Sequence, residues 1–304
     1  MARRGGAASI ARMSQRADAT LARFRIESGK GFRLKDHDPA GKHGLTIGKD
    51  DAPELLRQGV ERLAELQDKL YAQDRWAVLC LFQAMDAAGK DGTIKHVFSG
   101  VNPQGCFVTS FKAPSPAELD QDFLRRHIAH LPRRGEIAIH NRSWYEEVLV
   151  VRVHPRILAA QRLPERMVTR RIWKERLEDI AAFERYLARQ GVVLLKFFLN
   201  VSREEQRARF LERLDQPEKN WKFSASDVAE RRHWKDYMHA YEEAIRATAA
   251  PHAPWWIVPA DRKWLTRLIV VGAIVQALEG LDLRYPVLSE AERAALAEAR
   301  AALA

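Results

Sequence analysis

Cysteine is nearly absent from this chain. Only Cys80 and Cys106 occur in 304 residues, so a disulfide framework is excluded as the basis of the fold and a reducing, cytoplasmic location is expected. Both thiols read as small buried hydrophobes. Long apolar runs are also missing. The nearest, Leu268 to Leu278, falls short of the roughly 18 residues a membrane span requires and is flanked by charge, so no membrane partner is expected. No apolar signal core follows Met1. The ten histidines show no metal-ligand spacing and no Ser/His/Asp or Cys/His set stands out, which disfavours zinc sites and covalent acyl chemistry. There is no internal repeat, and the one low-complexity stretch is the Ala/Glu-rich end from Glu290 to Ala304, read as a tail with a frayed helix.

What is present is a hydrophobic content of 46% and a net charge of +10. The first supports one large core. The second is unevenly spread: residues 1–42 hold ten Lys or Arg against four acids, so the remaining 262 residues carry only +4. A basic tail before a nearly balanced body argues against a broad nucleic-acid face and leaves room for a local anion channel. The expected layout is a mobile basic tail over 1–23, a single domain over 24–288 and a tail over 289–304. Residues 24–49 read as an extended arm with turns. The spacing of Leu55, Leu56, Val60, Leu63, Leu66 and Leu70 predicts a helix from Ala52 to Ala72, capped by Asp50 or Asp51.

Beyond it, short apolar runs alternate with amphipathic segments, as in a parallel sheet covered by helices. Strands are predicted at Ala77–Phe82, Cys106–Ser110, Glu136–His140, Val192–Asn200 and Trp255–Pro259, with helices near Thr93–Phe98, Pro116–His130, Arg170–Gln190, Arg203–Leu214, Ala225–Ala249 and Asp261–Leu281. The fold class is α/β, a three-layer phosphate-loop kinase with a five-stranded parallel sheet.

The stretch VLCLFQAMDAAGKDGT, Val78 to Thr93, carries that expectation. An apolar strand opens into a small-residue loop, Ala87-Ala88-Gly89-Lys90, and a helix follows. Backbone N–H groups and the helix N-terminus cradle phosphate in such a loop while the lysine adds a point charge. The alternative is an ordinary strand-to-helix turn. Two positions depart from the usual pattern: Ala84 stands where glycine is expected, and Asp91 where Ser or Thr follows the lysine. A carboxylate repels phosphate unless a cation intervenes. Mg²⁺ typically takes one or two carboxylates plus phosphate oxygens and water, so Asp86 is the candidate metal ligand, with Mn²⁺ as the alternative ion. Asp91 reads as a helix cap or as part of the site, together with Gly92, Thr93 and Lys95.

A second element, His140-Asn141-Arg142-Ser143-Trp144-Tyr145-Glu146, follows a strand whose carboxyl end faces the ligand crevice of an open sheet. Asn141 takes the place where phosphate-loop enzymes hold Mg²⁺ with Asp, and Arg142 can clamp a phosphate. Its alternative is a surface arginine. A third element spans Arg203 to Tyr241, where Arg209 and Arg213 share a helix face and Asn220-Trp221-Lys222 follows Pro217 as in a hinged lid over about 203–240. Lys219, Lys222 and Arg209 are candidate phosphate ligands, against the alternative of a salt-bridged solvated helix pair. The run Arg162, Arg166, Arg170, Arg171, Lys174 and Arg176 could track a polyanion or form a solvated face. Trp173, Trp221 and Trp234 read as core.

Three stretches together resemble the family-2 polyphosphate kinases: QAMDAAGKDGTIKHVFSGVNPQG (Gln83–Gly105), IHNRSWYEEVLVVRV (Ile139–Val153) and RFLERLDQPEKNWKFSASD (Arg209–Asp227). The resemblance extends from about Phe24 to Pro286. Its motif forms are similar to those of the subgroup that accepts both nucleoside mono- and diphosphates. It implies a thymidylate-kinase-like fold with a helical lid, and reversible phosphoryl transfer from inorganic polyphosphate to AMP and ADP, with guanine nucleotides as a further acceptor class. Asp86, Lys90 and Arg142 would be catalytic. The loop residues with Asn141, Ser143, Tyr145, Glu146, Arg209, Arg213, Lys219 and Lys222 would bind substrate, Asp86 and Asn141 would hold Mg²⁺, and the assembly would be a homodimer or homotetramer. Asn141 departs from the Asp of other subgroups, which leaves its metal role open. An ATP-dependent nucleoside monophosphate kinase shares the fold and differs in donor, and a non-catalytic polyanion binder is the rival of another class.

Overall fold

The computed structural model describes residues 21–304 apart from 223 and 224. Residues 1–20 of the tail expected over 1–23 lie outside the described residues, as do the side chains of Lys219 and Lys222. Five parallel strands form the sheet where the apolar runs stand: β2 (Ala77–Ala84), β3 (Cys106–Ser110), β4 (Ile137–Asn141), β5 (Val192–Asn200) and β6 (Trp255–Pro259). A sixth, β1 (Arg25–Ile26), pairs antiparallel with β6 in the order β1-β6-β5-β2-β4-β3. Two residues carry no readable period, so the arm hid this strand. Every residue of β2 is buried, as expected of a central strand covered on both faces.

The helices Ala52–Gln73, Lys90–Val97 and Lys263–Glu279 pack together, and Ile172–Arg189 packs with Trp234–Thr248. Asp51 precedes the first of these without capping it; its carboxylate accepts instead from the Gly48 amide at 3.0 Å. The single helix expected over 116–130 is two short ones, Pro116–Leu119 and Arg125–Ile128. Ser115 and Glu118 form a capping box at the first, and Asp122 at the interruption accepts from the amide of Leu124. The region 225–249 likewise divides into Ala225–Glu230, a 3-10 turn at Arg231–His233 and Trp234–Thr248. At the C-terminus, Ser289 and Glu292 build a second capping box that starts a helix over Glu290–Leu303.

Strand order fixes where a ligand can sit. From β2 the chain passes over the place of β4 to reach β3, whereas from β4 it crosses β2 to reach β5. Neighbouring strands whose connections leave in opposite directions open a crevice at their carboxyl ends. Here those ends carry Ala84 and Asn141. No helix among the described residues is long and apolar enough to cross a membrane.

Candidate active site

The loop after β2 turns sharply because two of its residues are left-handed: Ala87 at φ +61° and Gly89 at φ +105°. Gly89 suits that geometry, whereas Ala87 is strained there at about 1 kcal/mol. Lys90 opens the following helix, and the amide of Thr93 donates back to the Gly89 carbonyl at 2.9 Å. Ala84 has an ordinary explanation. It is the last residue of β2, extended and paired with Leu199, so the turn begins after it and no glycine is needed.

Lys90 is buried, with its ammonium donating to the Ala84 carbonyl at 3.0 Å. Burial pushes its pKa down to about 8, Arg142 adds to the fall, and Asp86, Glu146 and Asp91 oppose it. Across the crevice Arg142 stands at φ +68°, a strained setting for a side chain with a Cβ. Its guanidinium links two carboxylates, Asp86 at 2.8 Å and Glu146 at 2.9 Å, and Glu146 above all holds its pKa above the ordinary value. Gln83, fully buried in β2, donates to the other oxygen of Glu146 at 2.9 Å. The loop pair Asp86 and Lys90 thus meets the strand-end pair Arg142 and Glu146, which lies 56 residues further along the chain.

Asp91 does not cap the helix. It lies in the first turn behind Gly89 and accepts from the Asn141 side-chain amide at 2.7 Å, tying the loop helix to the end of β4. The Asn141 Oδ1 atom is buried and has no hydrogen-bond partner among the described residues. A hard cation is one way to complete it, and Asp86, Asp91 and Asn141 supply only oxygen donors to the cavity, the type Mg²⁺ prefers. Among the described residues no group of three or more His, Cys, Asp or Glu forms a metal cage by itself. The residues therefore fit an ion whose shell is shared with substrate phosphates and water.

A cavity of about 510 Å³ spans the crevice and the overhanging segment, within the roughly 300–1,000 Å³ usual for ligand pockets. Lys90, Lys112, Arg142, Arg209, Arg213 and Lys263 line it against Asp86, Asp91, Glu212 and Asp227, with Ala87, Gly89 and Gly92 among its walls. Burial, followed by the charge of Asp86, raises the pKa of Asp227. Ser110, Phe111, Lys112, Asp227 and Lys263 were missed in the sequence, although Ser110 through Lys112 sit at the carboxyl end of β3 and Lys263 starts the helix after β6, both positions that face such a crevice.

Several predicted residues are placed differently from the expectation. Ser143 and Tyr145 are fully buried. Ser143 caps the 3-10 turn Trp144–Val148 after β4, and Tyr145 within that turn donates its hydroxyl to Glu184 at 2.7 Å, so both face the core together with Trp144. Thr93 is buried in the loop helix, and Lys95 is exposed and does not line the cavity. Arg209 is buried with its guanidinium on backbone carbonyls. Trp221 is not core: it is 79% exposed and lines the cavity, whereas Trp144, Trp255 and Trp256 fill the interior.

Comparison with known proteins agrees with this geometry. A profile of the family described as Polyphosphate kinase 2 matches residues 46–285. An ADP-polyphosphate phosphotransferase of Rhodopseudomonas palustris is 52% identical over 278 residues, 91% of this chain and 96% of that protein. An AMP/ADP-polyphosphate phosphotransferase of Meiothermus ruber is 45% identical over 266 residues, 88% of this chain and 96% of that one. The crystal structure of polyphosphate kinase 2 from Arthrobacter aurescens TC1 superposes with a TM-score of 0.82 at 40% identity, covering 90% of this chain and 95% of that one. The chain belongs to the Polyphosphate kinase 2 family and is a transferase of the polyphosphate:nucleotide phosphotransferase kind.

Proposed function

We propose that the cleft moves phosphoryl groups reversibly from inorganic polyphosphate to both AMP and ADP, with Mg²⁺ held by Asp86 and Asn141. The observation that carries this reading is the meeting of Lys90, Arg142 and Asp86 at the carboxyl ends of β2 and β4. Phosphoryl transfer demands alignment and charge neutralisation more than covalent help. The loop amides and Lys90 hold the transferring group, and Arg142 leaves one carboxylate to stabilise the charge that builds on it. Asp86 and Asn141 would hold Mg²⁺ beside the transferring group, where its charge would offset the negative charge that develops there. An acceptor phosphate is already ionised near neutral pH, so no strong base is required. Segment 203–240 overhangs the cavity through Glu212, Arg213, Trp221 and Asp227, and as a lid it excludes water.

Acceptor range is the finer part of the proposal. Its support is the DAAGKDGT and NRSWYEE motif forms together with a relative named for AMP and ADP; the relative named for ADP alone favours the narrower reading. An assay offering AMP, ADP and GDP with polyphosphate and Mg²⁺ decides it. Turnover with both AMP and ADP is expected, and turnover with ADP alone overturns the AMP assignment. Phosphorylation of AMP by ATP but not by polyphosphate would overturn the donor.

A further inference from the structure

The phosphate loop is held from behind as well as from the cleft. Gln206 donates its side-chain amide to the Asp86 carbonyl at 2.9 Å. Arg209, one turn further along the same helix, donates to the carbonyls of Ala87 at 3.1 Å and Ala88 at 2.7 Å, and to Ala260 beyond β6 at 2.5 Å. Its Nε donates to Glu205 at 2.8 Å. Both side chains are at least 95% buried. Three consecutive loop carbonyls are therefore bound by one helix face.

In a trans peptide the carbonyl and the next N–H point in opposite directions, and there is no cis bond among the described residues. Drawing the carbonyls of 86, 87 and 88 toward the helix turns the following amides away from it. The Ala88 amide closes a turn on the Met85 carbonyl at 3.3 Å, and those of Ala87 and Gly89 are presented on the other side, as a phosphate cradle requires. These bonds hold Ala87 in its left-handed setting. Gln206 has a second link: its Oε1 accepts from Arg231 at 2.6 Å, and Arg231 also donates to the Arg203 carbonyl at 3.1 Å. Arg231 stands where the overhanging segment returns to the body, so one side chain joins the loop to both ends of that segment.

The geometry points to Gln206 and Arg209 as positioning residues that set the phosphate-loop backbone and tie it to the overhanging lid, Arg209 acting through carbonyls and not as a phosphate ligand. This rests on reading the cleft as a polyphosphate kinase site. Arg209→Lys keeps the charge and loses the planar fork; Gln206→Glu replaces the donor facing Asp86 with an acceptor. Two measurements on the full chain test the idea: kcat and KM with polyphosphate and ADP, and hydrogen exchange of the peptide covering Met85 to Lys90.

The expected result is a kcat about 10- to 100-fold lower in Arg209→Lys, as low as in Arg209→Ala, with KM for polyphosphate changed less than about threefold and loop exchange at least about tenfold faster. Gln206→Glu should show the same pattern more weakly, which preserves the test if Arg209→Ala fails to fold. Near-normal turnover in Arg209→Lys, or lost turnover with unchanged loop exchange, would overturn the proposal. Exchange requires no turnover, so it decides the positioning role even if the wild-type chain fails to use polyphosphate, a result that would sink the functional reading alone.

Discussion

Lys90 and Lys196 are both buried ammonium groups in the central sheet region, and they do different things. Lys196, in β5, is fully buried and spends its three donors on Glu184 at 2.6 Å, the Thr248 carbonyl at 2.8 Å and the Tyr145 hydroxyl at 3.2 Å. Lys90 spends one donor on Ala84 and has no other hydrogen-bond partner among the described residues, while it lines an open cavity. Burial lowers both pKa values; Glu184 opposes the fall at Lys196, and at Lys90 the fall reaches about 8. A buried cation whose donors are all matched holds a structure together. One with donors to spare, facing a cavity, is prepared for an anion.

Replacing Lys90 with Ala breaks the comparison most severely. Turnover with polyphosphate should fall about 10³-fold while the thermal midpoint moves little, and Asp86→Ala should lose a similar amount. Near-normal kcat in either variant removes that residue from the site. Lys196→Ala should do the reverse. It leaves Glu184 buried without its cation at a cost of about 3–5 kcal/mol in urea unfolding, and if unfolding is unaffected the pair is not structural. Replacing Lys196 and Glu184 together with Met and Leu should recover most of that loss.

The pH dependence of Lys90 sharpens the contrast. Its folded pKa of about 8 lies below the ordinary 10.5, so between those values the native state binds fewer protons than the unfolded chain. Its destabilising contribution is therefore complete below about pH 8 and fades as pH rises toward 10.5. Activity moves the other way. kcat/KM should fall about tenfold per unit above pH 8 as the ammonium loses its proton, and Lys90→Arg should shift that limb beyond the measurable range. A limb unchanged in Lys90→Arg assigns it to another group. The smallest effect is expected from Ala84→Gly: about 0.5–1 kcal/mol lost from a buried strand end, with no gain in kcat. A faster enzyme would show that the loop begins at residue 84 after all.

Much of this was legible in the sequence because period and punctuation report backbone geometry. The five parallel strands, the loop ending Gly89-Lys90 and the strand end at Asn141-Arg142 were all readable. What a residue faces was less so. Arg209 shares a helix face with Arg213 and read as a phosphate ligand, yet its partners are carbonyls 51 to 122 residues away in sequence, which no local pattern encodes. Tyr145 sits three residues after Arg142 and points into the core. Lys196 was not singled out, although a charge inside the apolar run Val192–Asn200 signals a buried ion pair; its partner, Glu184, lies on a separate helix. Ala84 looked anomalous only against a motif, and pairing with Leu199 explains it.

The exposed indole of Trp221 has a spectroscopic consequence. It lines the cavity at 79% exposure while Trp144, Trp255 and Trp256 are at or below 1%, so a water-borne quencher such as acrylamide reaches it far more readily than those three. Closing the overhanging segment on a bound polyanion would shield that ring, and the emission of the unlabelled protein would report the cleft's state in real time.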